Sequence, residues 1–305
     1  MARVKKRDPN GMSDPRDAAA AMDSEAPRLA SRLLKFSIGL VFYAVIESWR
    51  AVRRMFGRTA PPSAVVIYYH HVPGDQREKF SRQLDHLMRW TRPLAADFNA
   101  PLTPNVRYSI VTVDDGWKSF ADNAVPELER RKIPVAMFAI SERLGRSIDG
   151  IAFDRLVTPD ELRALTSRGV TVGSHTATHA RMTSLSAQDA SHELCDSRSH
   201  LAAVLGHDVT MFCFPYGAYS DALIPLCREA GYDRVFTCLP EPVNQAEFVV
   251  GRVRVDPADW PLEFHLKLMG AYRWLPMAIA LKRRMRAALR GGSRADAQSP
   301  GVPAA

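Results

Sequence analysis

From Ala64 onward the chain alternates short apolar runs with stretches whose apolar residues recur every three or four positions. Val65-Val-Ile-Tyr-Tyr69 predicts a buried strand, and Phe80, Leu84 and Leu87 then fall on one face of a helix. Tyr108-Ser-Ile-Val-Thr-Val113 predicts a second strand, followed by a helix through Leu128. Further strands are expected at 134–140, 170–172, 209–214, 234–238 and 248–255. The helices between them carry their own punctuation. Thr158 caps one whose first position is Pro159, and another runs from Ser186 to about Leu205 and stops at Gly206. Strand and helix in regular alternation imply parallel βαβ units. Seven or so such units predict an α/β fold and suit either a barrel or a doubly wound sheet. Catalytic groups in such a fold belong at the C-terminal ends of the strands.

The ends follow another pattern. Residues 1–30 mix charge with Ala, Pro and Gly, show no hydrophobic period, and are expected to be disordered. Residues 31–60 predict an apolar and basic helix around an eleven-residue apolar run, 36–46. That run falls short of the ~20 residues a membrane span needs. It also begins late, and lacks a small-residue cleavage site, for a secretory signal. A buried helix, an interfacial helix and a marginal span are the open readings. Residues 61–270 form the expected catalytic domain. Residues 271–305 predict a basic amphipathic helix and a disordered tail; the helix either packs on the domain or lies on an anionic membrane surface.

Charge sharpens this division. The net charge is +8, yet residues 1–58 carry +6 and residues 265–305 carry +7, which leaves the body at −5. A nucleic-acid-binding enzyme concentrates positive charge on its folded body, so nucleic acid is not an expected partner. The four cysteines form no CxxC pair. Buried, reduced thiols are expected, with a disulfide as the alternative. With basic ends and no clear signal peptide, the chain is expected in the cytoplasm or peripherally on the inner face of the cell membrane.

Three strand-end segments carry candidate chemistry. Thr112-Val-Asp-Asp-Gly116 places two carboxylates side by side, an arrangement that is costly without a cation or proton to offset their repulsion. Gly116 allows a tight turn there. Val172-Gly-Ser-His-Thr-Ala-Thr-His179 sets His175 and His179 four apart, so that one helical turn would bring both imidazoles to one side. Two imidazoles and a carboxylate suit a divalent metal with one position open to water. Phe212-Cys-Phe-Pro-Tyr-Gly217 supplies a turn that could aim an N–H at a reacting atom. Trp117, Tyr216 and Tyr219 lie beside these motifs and offer faces for a sugar, while a core position is the alternative for Trp117.

In order and placement these segments resemble the polysaccharide deacetylase family, also called the NodB homology domain or carbohydrate esterase family 4, over roughly 65–270. The matching elements are Thr112–Gly116, His175–His179 and Pro215–Gly217, and Tyr69-His70-His71-Val72 is similar to a segment on the first strand of many members. The resemblance implies a distorted (β/α)7-type barrel of mostly parallel strands with flanking terminal helices, and a metal-dependent hydrolase of carbon–nitrogen (non-peptide) bonds that removes N-acetyl groups from N-acetylhexosamine units. Asp115, His175 and His179 would bind the metal, Zn²⁺ foremost, with Co²⁺, Ni²⁺ or Mn²⁺ as alternatives. Asp114 would be the general base, and the backbone N–H of Tyr216 an oxyanion donor. Pro215, Tyr216 and Trp117 would contact substrate. No Leu-x-His motif near the C-terminus supplies the acid, which leaves His70 and His265 as candidates. Asp256-Pro-Ala-Asp-Trp260 fits a further family motif, in which Asp259 would orient Asp114 or a nearby cation and Trp260 would line the sugar site. Its setting after Gly251-Arg-Val-Arg-Val255 is closer to the final strand of exopolysaccharide-type members. Two alternatives stand beside this reading: a deacetylase or deformylase of a lipid-linked sugar at the membrane, and an inactive carbohydrate-binding homologue.

Overall fold

The computed structural model describes residues 29–147, 154–241, 243, 245–282 and 285. Of the disorder expected for residues 1–30, residues 1–28 lie outside that set, as does the tail past 285, while Leu29 and Ala30 are helical. Among the described residues the order is α1 (Leu29–Met55), β1 (Ser63–Tyr69), α2 (Arg77–Trp90), β2 (Arg92–Pro93), β3 (Arg107–Val113), α3 (Lys118–Asn123) and α4 (Val125–Arg130). There follow β4 (Val135–Ala139), α5 (Pro159–Ser167), β5 (Val170–Ser174), α6 (Ala187–Leu205), β6 (Met211–Cys213), α7 (Leu223–Glu229), β7 (Arg234–Phe236), β8 (Val249–Val250), β9 (Val253–Arg254) and α8 (Pro261–Leu268). Residues 275–282 are again helical.

The strands form one parallel sheet in the order β8-β7-β6-β5-β4-β3-β1-β9, with β2 added on β3. Its two edges, β8 and β9, are separated in the chain only by Gly251 and Arg252. The sheet therefore curls until its edges meet across two residues, giving a half-closed barrel. The single strand expected at 248–255 is broken for a steric reason. A Cβ at Gly251 would lie 2.3 Å from the Leu239 carbonyl oxygen, so only glycine fits where the chain leaves one edge for the other. The helix expected to run through Leu128 is likewise two short helices, α3 and α4.

Strand alternation sorts the core into layers. Ile67, Tyr69, Val111, Val113, Val135 and Met137 face outward against the helices. Val66, Ile110, Ala136, Phe138, Cys213 and Phe236 fill the barrel interior. The cap on α5 is complete, with Thr158 Oγ1 accepting from Glu161 N and Glu161 returning a bond to Thr158 N at 2.8 Å.

Helix α1 departs from expectation. It is 27 residues long rather than a frame for an eleven-residue run, and it is long and apolar enough to cross a membrane. It is also not a buried helix, since only Gly39 and Ile46 are buried. The cysteines depart as well: all four are free, but Cys195 is exposed and Cys238 half-buried.

Candidate active site

The barrel brings the ends of β3, β5 and β6 together. Past β3 the backbone turns sharply, with Asp115 at φ 69° and Gly116 at φ 86°. Past β5, Thr176 and His179 have φ of 66° and 67°, and past β6 Tyr216 has φ of 59°. Among the described residues, four of the six non-glycine residues with positive φ thus lie in the three motifs. Left-handed backbone costs of order 1–2 kcal/mol at each non-glycine position, so the surrounding structure must impose it.

His175 and His179 do meet on one side, though not through the helical turn expected of them. The segment is a non-helical turn. Thr176 Oγ1 accepts from His179 N at 2.9 Å, and Glu193 on α6 accepts from the backbone N–H groups of Ala177 and Thr178, both at 2.9 Å. Glu193 is a support that the motif did not announce.

The result is a compact cluster. Asp115 Oδ1 lies 3.5 Å from His175 Nε2 and 3.3 Å from His179 Nε2. Cys213 presents its backbone oxygen 2.8 Å from His175 Nδ1. A carbonyl can only accept, so the proton sits on Nδ1 and Nε2 is left as the ligand atom. Burial lowers the His175 pKa to about 4, which keeps the ring neutral. Trp117 Nε1 donates to Asp115 Oδ2 at 2.9 Å. Asp115 Oδ1, by contrast, is buried without a hydrogen-bond partner. A desolvated carboxylate oxygen aimed at two imidazole nitrogens is the donor set that a divalent transition ion completes.

Asp114 is held otherwise. Arg252, 0% exposed, grips it with two parallel bonds, Nη1 to Oδ1 at 2.6 Å and Nη2 to Oδ2 at 2.7 Å. The same guanidinium reaches Thr112 Oγ1 at 3.0 Å and Cys213 Sγ at 2.8 Å, and lies over the Tyr68 ring at 4.3 Å. Burial alone would raise the Asp114 pKa. The charge and hydrogen bonds of Arg252 outweigh it and bring the carboxyl down to about 2. Sequence reasoning missed Arg252. Its one signal was the Gly-Arg pair inside a run that is apolar apart from Arg254.

The remaining candidates divide. Asp114 N donates to Tyr69 O at 3.0 Å, which sets Asp114 beside the end of β1, and the charge of His70 bears on Asp114. Tyr216 lays its ring 4.6 Å from that of His179, with the guanidinium of Arg181 over it at 4.9 Å, and Pro215 is buried beneath. Trp117 offers no face to a sugar: it is 3% exposed and stands behind Asp115 as its hydrogen-bond donor.

Asp259 does not reach Asp114, because its carboxylate is bound to Lys267 at 2.7 Å and to Asp256 N at 3.0 Å; Arg252 has the orienting place. Trp260 stacks against Phe36 and Arg32 of α1 and lines no sugar site. His265 is enclosed, with Nδ1 2.9 Å from His86 Nε2 and Nε2 3.1 Å from Tyr43 Oη.

The sequence pattern of the family described as polysaccharide deacetylase matches residues 102–235, which contain the Asp doublet, the His pair and the Pro-Tyr-Gly turn. Over those residues the chain carries the pattern of the polysaccharide deacetylase family. Its members are hydrolases acting on carbon–nitrogen bonds other than peptide bonds. Among relatives of this deacetylase, YxkH of Bacillus subtilis is 21% identical over 210 residues, 65% of this chain and 73% of the other. The solved structure of IcaB from Ammonifex degensii is 26% identical, with a TM-score of 0.57 over 68% of this chain and 98% of that one. The Streptococcus pyogenes deacetylase PplD, solved with acetate, shares the fold at 18% identity, with a TM-score of 0.57 over 69% of this chain and 99% of that one.

Proposed function

We propose that this deacetylase removes N-acetyl groups from N-acetylhexosamine units of a polysaccharide or oligosaccharide, with a divalent metal bound by Asp115, His175 and His179. The observation that carries the reading is the buried, unpartnered Oδ1 of Asp115 facing two imidazole nitrogens. Burying such an oxygen costs several kcal/mol unless a charge meets it. Nitrogen and oxygen ligands of this kind favour Zn²⁺, with Co²⁺, Ni²⁺ or Mn²⁺ as substitutes. The cation, when bound, supplies Lewis acidity that acidifies water and polarises the acetamide carbonyl.

The side chains divide the remaining work. Asp114 accepts the proton of the attacking water. Arg252 keeps it ionised and in place, so its contribution comes from position more than from basicity. The backbone N–H of Tyr216 donates to the oxyanion of the tetrahedral species, a contact of the kind worth about 3–4 kcal/mol in the barrier. His70, beside Asp114, gives a proton to the departing amine as acetate is released. Pro215 and Tyr216 form the floor on which the sugar rests.

Acetate release from defined N-acetylglucosamine oligomers tests this, using protein stripped of metal and reloaded with single metals. Activity should vanish on stripping, return with Zn²⁺ or Co²⁺, and be lost in Asp114→Asn and His70→Ala. Full activity in both variants would remove the assignment. A lipid-linked amino sugar, N-acetylated or N-formylated, is the second reading, favoured by the exposed apolar side of α1. Turnover of that substrate with none of soluble oligomers would select it.

A further inference from the structure

Helix α1 has two faces with opposite characters. Along one, Arg32 pairs with Glu263 at 2.6 Å, Phe36 packs on Trp260, Gly39 and Ile46 are buried, Tyr43 meets His265, and Arg50 bonds Ser63. These positions recur every three or four residues, so the helix is docked lengthwise on the domain. The opposite face carries Leu34, Ile38, Val41, Val45, Trp49 and Val52, all exposed, with Val41 at 66% and Val45 at 62%. At 1.5 Å per residue that apolar stripe is roughly 30 Å long. Arg273 lies over Phe42, and the helical segment that follows adds exposed Met277 and Leu281. Contiguous apolar surface of this kind marks a site of interaction.

At the C-terminal end of α1, on the side where the helix meets the domain, is a cavity of about 530 Å³ lined by Arg50, Arg54, Arg58, Arg107, Asn105 and Trp90, among other residues. Among the described residues, no Asp or Glu lines it. Glu47, paired with Arg107, is the acidic neighbour. Arg54 also complements the helix dipole, but that role does not call for three further guanidiniums around one cavity. Guanidiniums bind phosphate in a bidentate manner, and Trp49 and Trp90 suit the polar–apolar boundary of a bilayer.

We propose that α1 lies in the plane of an anionic lipid bilayer, its outward stripe among the acyl chains, and that the arginine-lined cavity holds a lipid phosphate head group. Charge complementarity selects the occupant, because an apolar protein partner would leave the guanidiniums unmatched. The lengthwise docking of α1 selects the orientation. A crossing helix would carry Arg32, Glu263, Asp259 and Lys267 into the hydrocarbon with it, at high cost.

Flotation of the full chain with vesicles tests this independently of catalysis. The protein should rise with phosphatidylcholine vesicles containing a third phosphatidylglycerol, bind phosphatidylcholine alone weakly, and be stripped by alkaline carbonate. Arg54→Gln with Arg58→Gln should weaken partitioning about fivefold per arginine. Val41→Glu with Val45→Glu should abolish it on either vesicle, and circular dichroism should show both pairs folded. Failure to float, or flotation unchanged in both pairs, overturns the proposal. Resistance to carbonate overturns the in-plane orientation. Inorganic phosphate bound in the wild type and lost in the arginine pair, with flotation unaltered, would assign the cavity to free phosphate instead. Acetate release from soluble oligomers is a separate readout that neither pair should change, so a negative result here leaves the deacetylase reading standing.

Discussion

Two regions of the molecule carry carboxylates, histidines and a tryptophan close together, and they differ in how fully those groups are partnered. Around α8, each such group has a partner: Asp259 holds Lys267, Glu263 holds Arg32, His265 sits between His86 and Tyr43, and Trp260 lies under Arg32. At the ends of β3 and β5 the set is left open, with Asp115 Oδ1 buried and without a partner. The first arrangement is a brace that docks α1 on the domain. The second stores a cost that a ligand must relieve. An unfilled hydrogen-bonding valence, rather than the presence of catalytic residue types, separates the two.

Substitution of the paired aspartates should expose this difference most strongly. Asp115→Asn should lower acetate release by about 10³-fold or more while leaving the thermal midpoint of metal-free protein unchanged or higher. Asp259→Asn should do the reverse, with normal turnover per folded molecule and a loss of about 1–3 kcal/mol of stability by denaturant titration. Equal losses of activity in the two variants would erase the distinction.

Arg252 gives the next largest effect. Arg252→Met leaves Asp114 buried and unpaired and should cost about 3–5 kcal/mol of stability in addition to activity. Adding Asp114→Leu should restore stability but not turnover. Recovery of neither would mean that the pair serves chiefly to close the barrel edges.

The brace should also respond to acid. Burial, reinforced by His86, lowers the pKa of His265 to about 4, against an ordinary value of 6.5, so the unfolded chain binds the proton more readily than the folded one. Its contribution is therefore complete above pH 6.5 and declines as pH falls toward 4. The thermal midpoint of the wild type should drop through that window, and His265→Gln should flatten the slope. The smallest expected change is Arg32→Ala, about 1 kcal/mol or less, because that ion pair is partly open to solvent.

Much of the barrel could be read from the sequence because its signals are local. Seven apolar runs, a Thr-Pro cap and a Gly stop each describe a few neighbouring residues, and the described elements follow them closely. The Asp doublet and the His pair were legible for the same reason. What escaped depended on contacts distant in the chain. Arg252 meets Asp114 from 138 positions away, and only the meeting of the sheet edges makes that pair. His175 and His179 converge through backbone strain held by Glu193, where spacing alone suggested a helix. Asp259, Trp260 and His265 looked chemical in a short motif because their partners on α1 lie more than 200 residues earlier. The length of α1 was hidden by charges at its ends that a count of consecutive apolar residues could not bridge.

The central claim is that Asp115, His175 and His179 share one divalent cation. Calorimetric titration of Zn²⁺ into chelator-stripped protein addresses it without reference to substrate. One equivalent should bind to the wild type, and that site should disappear in both Asp115→Asn and His179→Ala. Unaltered zinc binding in those two variants, or none in the wild type, would contradict it.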